Sequence, residues 1–458
     1  MKARNTLIVI VGAIFASILM GACGEDRWAG YAEQTKTDRW IYDTMQVHYY
    51  WQDAMPSYDK ANFFIEPFKF FNSLLSKEDG KNGAPYSTID SLRTTTTNRS
   101  IAYTEHSYGF DFGLYQLEGS KYAALILYVA NDSPADNVGL KRGDWILDMD
   151  GEAITRNNYS RLFGSKQMEI TTGTYDAEQN AIVAWEEKVT LPAARAVEDN
   201  PVHYKNIYEV GDKRVGYLVY NHFTSGPTDD SHDYDNALRD ASNYFASGQV
   251  DEFILDLRYN NGGSLGCAQL LCNILAPTSA LDNTMGYIEY NENYKPRERS
   301  LTFDSKTLQT GSNLNLKRLY VLTTSMTASS SEIIINCLRP YMEVIVVGDK
   351  TEGKNVGSLA YSSKELQLIM RPIVCKIYNA NHESEYSDGF KADVSVKESS
   401  NLARFLPFGD TNELLLGTTL GLIGGDNMEE APETRSSSHF QLVENSLQRR
   451  AAGSVWID

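Results

Sequence analysis

The sequence predicts an α/β protein built from two or three units, and three observations carry that expectation. Residues 204–423 alternate apolar, strand-length runs ("RVGYLVYNHF", "EFILDLRYN", "KRLYVLTT", "EVIVVGD") with helix-compatible stretches such as "SHDYDNALRDASNYFASGQ" and "SSEIIINCLRPY". Residues 101–197 change texture to short strands and glycine turns, in "SYGFDFGLYQ", "YAALILYVA" and "WILDMDGEAI". At 458 residues the chain is also longer than one ordinary domain.

The first 22 residues are expected to lie outside the fold. Lys2 and Arg4 precede an apolar stretch from Leu7 to Met20 and then small residues, the layout of a secretory signal. "LMGAC" resembles a bacterial lipoprotein box. That resemblance implies lipidation of Cys23 and attachment to the outer membrane of the cell envelope, on its periplasmic or surface face. Glu25 and Asp26, directly after it, resemble the surface-export tag of Bacteroidetes lipoproteins.

In residues 23–100, Trp40, Ile41, Met45, Tyr49 and Tyr50 recur at helical spacing and predict a small helical region. "SKEDGKNGAPYSTID" then breaks the pattern with glycine, proline and polar residues. An irregular polar insertion is expected from Thr278 to Asn315. Residues 424–458 have the composition of a tail, with one short helix.

The net charge of −18 and the lack of any basic block exclude nucleic acid as a partner. The 28 tyrosines suit sheets and binding surfaces. After Cys23 come Cys267, Cys272, Cys337 and Cys375, with no CxxC pair and no nearby histidine in a metal pattern, so they read as core thiols.

The run "NDSPADNVGLKRGDWILDMDGEAI" resembles the signature of PDZ domains in bacterial proteases. It carries Ser133-Pro134-Ala135, Gly139-Leu140, Arg142-Gly143-Asp144 and Asp150-Gly151 in order. The resemblance implies a groove that accepts a peptide as an added strand. Gly109 and Phe110, in "GFDFG", would then belong to the loop that grips the peptide's carboxylate.

The stretch "TASSSEIIINCLRP" sets Ser329, Ser330 and Ser331 against a buried run. Ser329 with Glu332 has the spacing of a capping box, which explains serines at a helix start without any chemistry. The other reading is a nucleophile. The serines follow the strand "RLYVLTT", so the turn presents a side chain at a helix N-terminus, where unpaired N–H groups stabilise an anion. A second strand ends in "DLRYNNGGSL", whose Gly262 and Gly263 allow close backbone approach and supply N–H donors. Lys354 lies in the loop "KTEGKNVGS". A ten-residue helix runs out by ~15 Å, and a strand of five or six residues returns ~17–20 Å. That path brings the loop back to the start of the helix. Burial there lowers a lysine's proton affinity and suits it to act as a general base.

These residues together resemble the C-terminal processing peptidases, the tail-specific serine proteases. "SSSEI" stands where that family has its nucleophile motif, "TEGKNVG" places a lysine 25 residues later, "DLRYNNGG" matches its strand end, and "GFKADVSV" its late segment. The resemblance spans roughly residues 105–400. It implies a crotonase-like (ββα) peptidase domain over 204–423, preceded by a PDZ domain over 101–197. It also implies Ser329 as nucleophile, Lys354 as base, and an oxyanion hole from the N–H of Ser330 and of Gly262 or Gly263. Glu332 would support or cap the helix, and Ser358, where the family often has glutamine, is the candidate to orient the lysine. The implied partner is a protein or peptide substrate with a free C-terminal tail, and no metal or organic cofactor is implied. Two other readings stand beside this one. One is a catalytically silent peptide receptor of the same fold; the other is a histidine-based hydrolase using His222.

Overall fold

The computed structural model describes residues 28–92, 106–117, 121–228, 230–425, 440–449 and 455–456. The expected signal segment and Cys23 lie outside them. No helix among the described residues is long and apolar enough to cross a membrane.

The front of the chain is helical, with α1 (Trp28–Gln34), α2 (Lys36–His48) and α3 (Pro67–Leu74). Pro67 sits at the first helical position, and the Glu66 carboxylate accepts from Phe68 and Lys69 N–H, which starts α3 cleanly. Ile41, Met45 and Tyr49 recur at helical spacing and bury against Phe70, Phe71 and Leu74. This cluster also takes in Val356, Met370 and Ile373, so the front of the chain packs on a segment some 300 residues later. The backbone bond from Tyr50 N–H to Ile373 O (2.8 Å) marks the same contact.

The second unit is a sheet built on β1 (Phe110–Gln116), β2 (Tyr122–Val129), β3 (Trp145–Met149) and β4 (Met168–Asp176), antiparallel in that order. A four-residue helix, α4 (Pro134–Asn137), follows β2 and is capped by Ser133, whose Oγ accepts from Asp136 N–H. Phe112, Leu114, Ile126, Leu140 and Ile146 form its core.

The third unit carries the larger core. β5 (Val202–Val210) and β6 (Lys213–Tyr220) are antiparallel; α5 (Asp233–Ser247) then crosses to β7 (Glu252–Asp256), parallel to β6. α6 (Leu265–Leu275) precedes β8 (Arg318–Thr323), which pairs parallel with β7, and α7 (Ser330–Leu338) leads to β9 (Glu343–Gly348), parallel to β8. These inner strands read as unbroken apolar runs because both their faces are covered. β10 (Val356–Ser358) and β11 (Ile373–Asn379) enter a separate five-stranded sheet, and β12 (Val394–Ser395) returns beside β9. α8 (Leu414–Gly424) covers the face opposite α5, α6 and α7. All four cysteines after Cys23 are buried in the larger core.

Two expectations are corrected. The polar insertion is not irregular: residues 284–290 and 298–302 form a hairpin that pairs with β11, because "MGYIEY" alternates buried and half-buried positions. The tail is likewise not a lone short helix. Its described residues form β13 (Gln441–Asn445), a 3₁₀ turn at Ser446–Arg449 and β14 (Val455–Trp456); β13 joins β1, and β14 joins β10.

Candidate active site

The loop after β7 and the turn after β8 leave neighbouring parallel strands at the same end of the sheet, the usual place for a site in α/β folds. Hydrogen bonds sew the two together. Thr327 Oγ1 donates to Leu257 O (2.9 Å), Ala328 N–H to Asn260 O (3.1 Å), Ser331 Oγ to Asn260 O (2.9 Å) and Ser330 Oγ to Gly263 O (2.7 Å). Two of the three serines are thus fasteners between helix and glycine loop.

Ser329 is different. Its backbone lies at φ 63°, ψ −116°, a conformation that L-residues adopt only under constraint, at a cost of about 1–3 kcal/mol. The capping box is half made: the Glu332 carboxylate accepts from Ser329 N–H (2.9 Å), but Ser329 Oγ has no hydrogen-bond partner although the residue is fully buried. Gly262 lies directly against it at φ 109°; a Cβ there would stand 2.7 Å from Ser329 Cβ and 3.1 Å from its Oγ. Gly262 N–H donates to Asn260 Oδ1 (2.9 Å), and Asn260 Nδ2 to Tyr220 O (2.8 Å), so the first glycine's donor serves the loop.

Glu332 gathers the site. One oxygen accepts from Ser329 N–H and Lys354 N–H (2.8 Å); the other accepts from Gly353 N–H (2.7 Å) and Thr351 Oγ1 (2.6 Å). The backbones of the serine and the lysine therefore hang on a single oxygen atom. Burial pushes the carboxyl up to about 7, against the four donors that favour its anion.

Lys354 is 2% exposed, and its Nζ has no hydrogen-bond partner. Burial lowers its proton affinity to about 8, opposed by the charges of Asp79, Glu352 and Glu332. Over it lies the ring of Tyr86, 4.8 Å from Nζ. Asp79 fixes that ring's backbone through Oδ1, which accepts from Tyr86 N–H (3.1 Å) and Ser87 N–H (3.0 Å), while Oδ2 accepts from Tyr49 (2.9 Å). Ser358, on β10, is fully buried with an unpartnered Oγ.

The structure thus brings Ser329, Ser330, Gly262, Gly263, Glu332 and Lys354 into one bonded cluster. His222 is committed elsewhere: its Nδ1 pairs with Thr224 Oγ1 (3.0 Å), its Nε2 with Asp199 O (2.9 Å), and burial lowers it to about 4. With both ring nitrogens held, it has none to offer a nucleophile. Gly109 sits at φ 83° just ahead of β1, its N–H donating to Ser107 Oγ (3.0 Å), and Phe110 is buried as the first residue of the strand. The arginines of "KRGD" and "DLRYN" meet in a buried network: Arg142 contacts Glu398 (2.6 Å) and Tyr259 Oη (2.6 Å), and Arg258 contacts Asp256 (2.8 Å), Glu398 (2.8 Å) and Glu413 (2.7 Å). Sequence reasoning missed Tyr86 and Asp79 altogether, since both fall in a stretch whose composition signals only a break.

Residues 214–396 match Peptidase family S41, and residues 36–88 match the Peptidase S41 N-terminal domain. A crystal structure from Bacteroides fragilis, titled as an S41 protease, aligns at 39% identity with a TM-score of 0.77, over 85% of this chain and 97% of that one. The chain belongs to peptidase family S41. The S41 match contains Gly262, Gly263, Ser329, Lys354 and Ser358, and the N-terminal match contains Asp79 and Tyr86. Among curated S41-like relatives, the carboxy-terminal-processing protease of Bartonella bacilliformis is 24% identical over 53% of this chain. The carboxyl-terminal-processing protease of Picosynechococcus is 26% identical over 49%. The matched region spans 52% and 49% of those proteins' own lengths.

Proposed function

We propose that the chain is a serine endopeptidase in which Ser329 and Lys354 form the catalytic dyad. The observation that carries this reading is the pair of buried, unpartnered atoms Ser329 Oγ and Lys354 Nζ, whose backbones share one oxygen of Glu332. Other buried polar atoms of this chain also lack a protein partner; what sets these two apart is that Glu332 fastens both of their backbones beside the glycine loop, with Ser329 held at a strained φ of 63°.

Neutral Lys354 takes the proton of Ser329 as Oγ attacks a peptide carbonyl carbon, and the carbonyl electrons move onto its oxygen. The N–H of Ser330, at the start of α7, and that of Gly263 receive the oxyanion, because Gly262 N–H is already bonded to Asn260. The C–N bond then breaks, and the leaving amine takes the proton from Lys354. Water next attacks the ester carbon, giving a proton to Lys354; the C–Oγ bond then breaks, Ser329 Oγ takes that proton back from Lys354, and the carboxylic acid departs, leaving the serine and the neutral lysine as they began. Ser358 Oγ, buried and unpartnered on β10, is the hydroxyl offered to the Lys354 ammonium once that group has taken the proton; the two atoms are not hydrogen-bonded in this structure. The substrate's C-terminal tail is held as an added strand on the PDZ-like sheet near Gly109 and Phe110. Lipidation at Cys23 places the enzyme on the outer membrane of the cell envelope.

The test uses purified protein lacking residues 1–23 and an unfolded protein substrate with a free apolar C-terminus. Cleavage by wild type, lost in Ser329→Ala and in Lys354→Ala with both folded, is the expected result. Cleavage surviving in either variant overturns the dyad; tail binding without cleavage by any form means a receptor.

A further inference from the structure

The outer edge of β1 is already filled. β13 runs antiparallel to it, with Gln441 opposite Gln116 and Asn445 opposite Gly113. Ser446 then closes the pairing: its Oγ accepts from Phe112 N–H (2.8 Å) and donates to Asp111 Oδ1 (2.6 Å). Tyr159 Oη donates to Glu444, and the Phe440 ring packs on Trp145 (5.9 Å). Leu447 is 1% exposed, among Tyr115, Trp145, Leu402 and Phe405, where the sheet meets the larger unit. The direction matters as well. β13 travels along β1 toward Gly109, as a peptide strand does when its end approaches the loop ahead of the receiving strand.

The same tail reaches the dyad. β14 lies parallel to β10, Val455 opposite Gly357 and Trp456 opposite Ser358, and β10 begins two residues after Lys354. The other edge of β10 is held by β11. Each edge presents one row of N–H and C=O groups and accepts one strand, so a second occupant enters only by displacing the first.

From this we infer that the chain's own C-terminal residues, 440–447 and 455–456, are a built-in competitor for peptide. They occupy the docking edge of β1 and the strand edge beside Lys354, and an extended protein substrate binds productively only after the tail leaves. The inference rests on the peptidase reading for its activity readout, whereas tail docking is measurable without catalysis. Because the competitor is tethered, its effective concentration is in the millimolar range, and weak contacts suffice to hold it in place.

The experiment compares residues 24–458 with residues 24–439, using unfolded casein as the probe. The shorter chain is expected to show kcat/KM at least about tenfold higher, and a synthetic 440–458 peptide is expected to inhibit it competitively. A folded shorter chain with unchanged or lower activity overturns the inference. Should truncation unfold the protein, Gln116→Cys with Gln441→Cys decides, since it locks β13 to β1 in the full chain. Oxidation is expected to stop casein cleavage and reduction to restore it; equal activity in both states overturns the inference. If no form cleaves casein, the peptidase reading fails alone. Binding of the fluorescent 440–458 peptide to the 24–439 chain carrying Ser329→Ala then decides: saturable binding supports the docked tail, and its absence overturns it.

Discussion

Replacing Lys354 by methionine tests the electrostatics of the site apart from its chemistry. The two side chains are similar in length, but methionine needs no solvation. Burial lowers the Lys354 ammonium from 10.5 to about 8. At about 1.4 kcal/mol per pH unit, holding that charge inside the fold costs about 3 kcal/mol at pH 7. Lys354→Met is therefore expected to be inactive and yet more stable than wild type, by up to about 3 kcal/mol at pH 7. The sign of the pH dependence follows from the two proton affinities. Between pH 8 and 10.5 the unfolded chain keeps a proton that the folded chain has released, so wild-type stability rises with pH across that window. The advantage of the variant should accordingly shrink to about 1 kcal/mol by pH 10, and contributions from titrating groups that do not interact with Lys354 cancel in the difference. Urea denaturation of both proteins at pH 7, 9 and 10 reads this directly. A variant no more stable than wild type at pH 7, or a gap that does not change with pH, would refute the reasoning.

Three further outcomes are expected. Ser329→Gly should be inactive but about 1 kcal/mol more stable than Ser329→Ala, because glycine accepts φ 63° without strain; thermal melts of the two compare them. Glu332→Gln places an amide donor against the four groups that now donate to the carboxylate. It should cost about 2–3 kcal/mol in stability and lower kcat far more than it changes KM, as steady-state kinetics and denaturation on one preparation would show. In wild type, kcat/KM should rise with pH through about 8 and level off, since the base works only when neutral, and a pH–rate profile gives the apparent value.

What the sequence revealed and what it hid differ by the range of the interaction. That Ser329 and Lys354 come together was legible because a strand, a turn, a helix and a returning strand link them over 25 residues, and each element has a plain local signature. The free Oγ was not legible. "SxxE" reads as a complete capping box, and only the backbone at φ 63° shows that the hydroxyl is withheld from it. Tyr86 over Lys354 was hidden because nothing local in "NGAPYS" points to a residue 268 places later. The hairpin at 284–302 was masked by the polar residues on its outer face. β13 escaped for a similar reason: its residues are exposed or half-buried, so the apolar alternation that marks a strand is faint. Register on β1 comes from backbone pairing and Ser446, which composition does not express.

Tyr86 above the lysine has a consequence for the life of the chain before it is an enzyme. The residues that wall in Lys354 are synthesised first, Ser329 some 240 residues later, and the cluster that α2 and α3 form is completed only by Val356, Met370 and Ile373. Contacts of such long sequence separation form late in folding. An incompletely folded chain therefore holds a solvated lysine with an ordinary proton affinity, charged and unable to act as a base. The lowered proton affinity of Lys354, which the proposed mechanism needs, therefore arises only when the fold is complete.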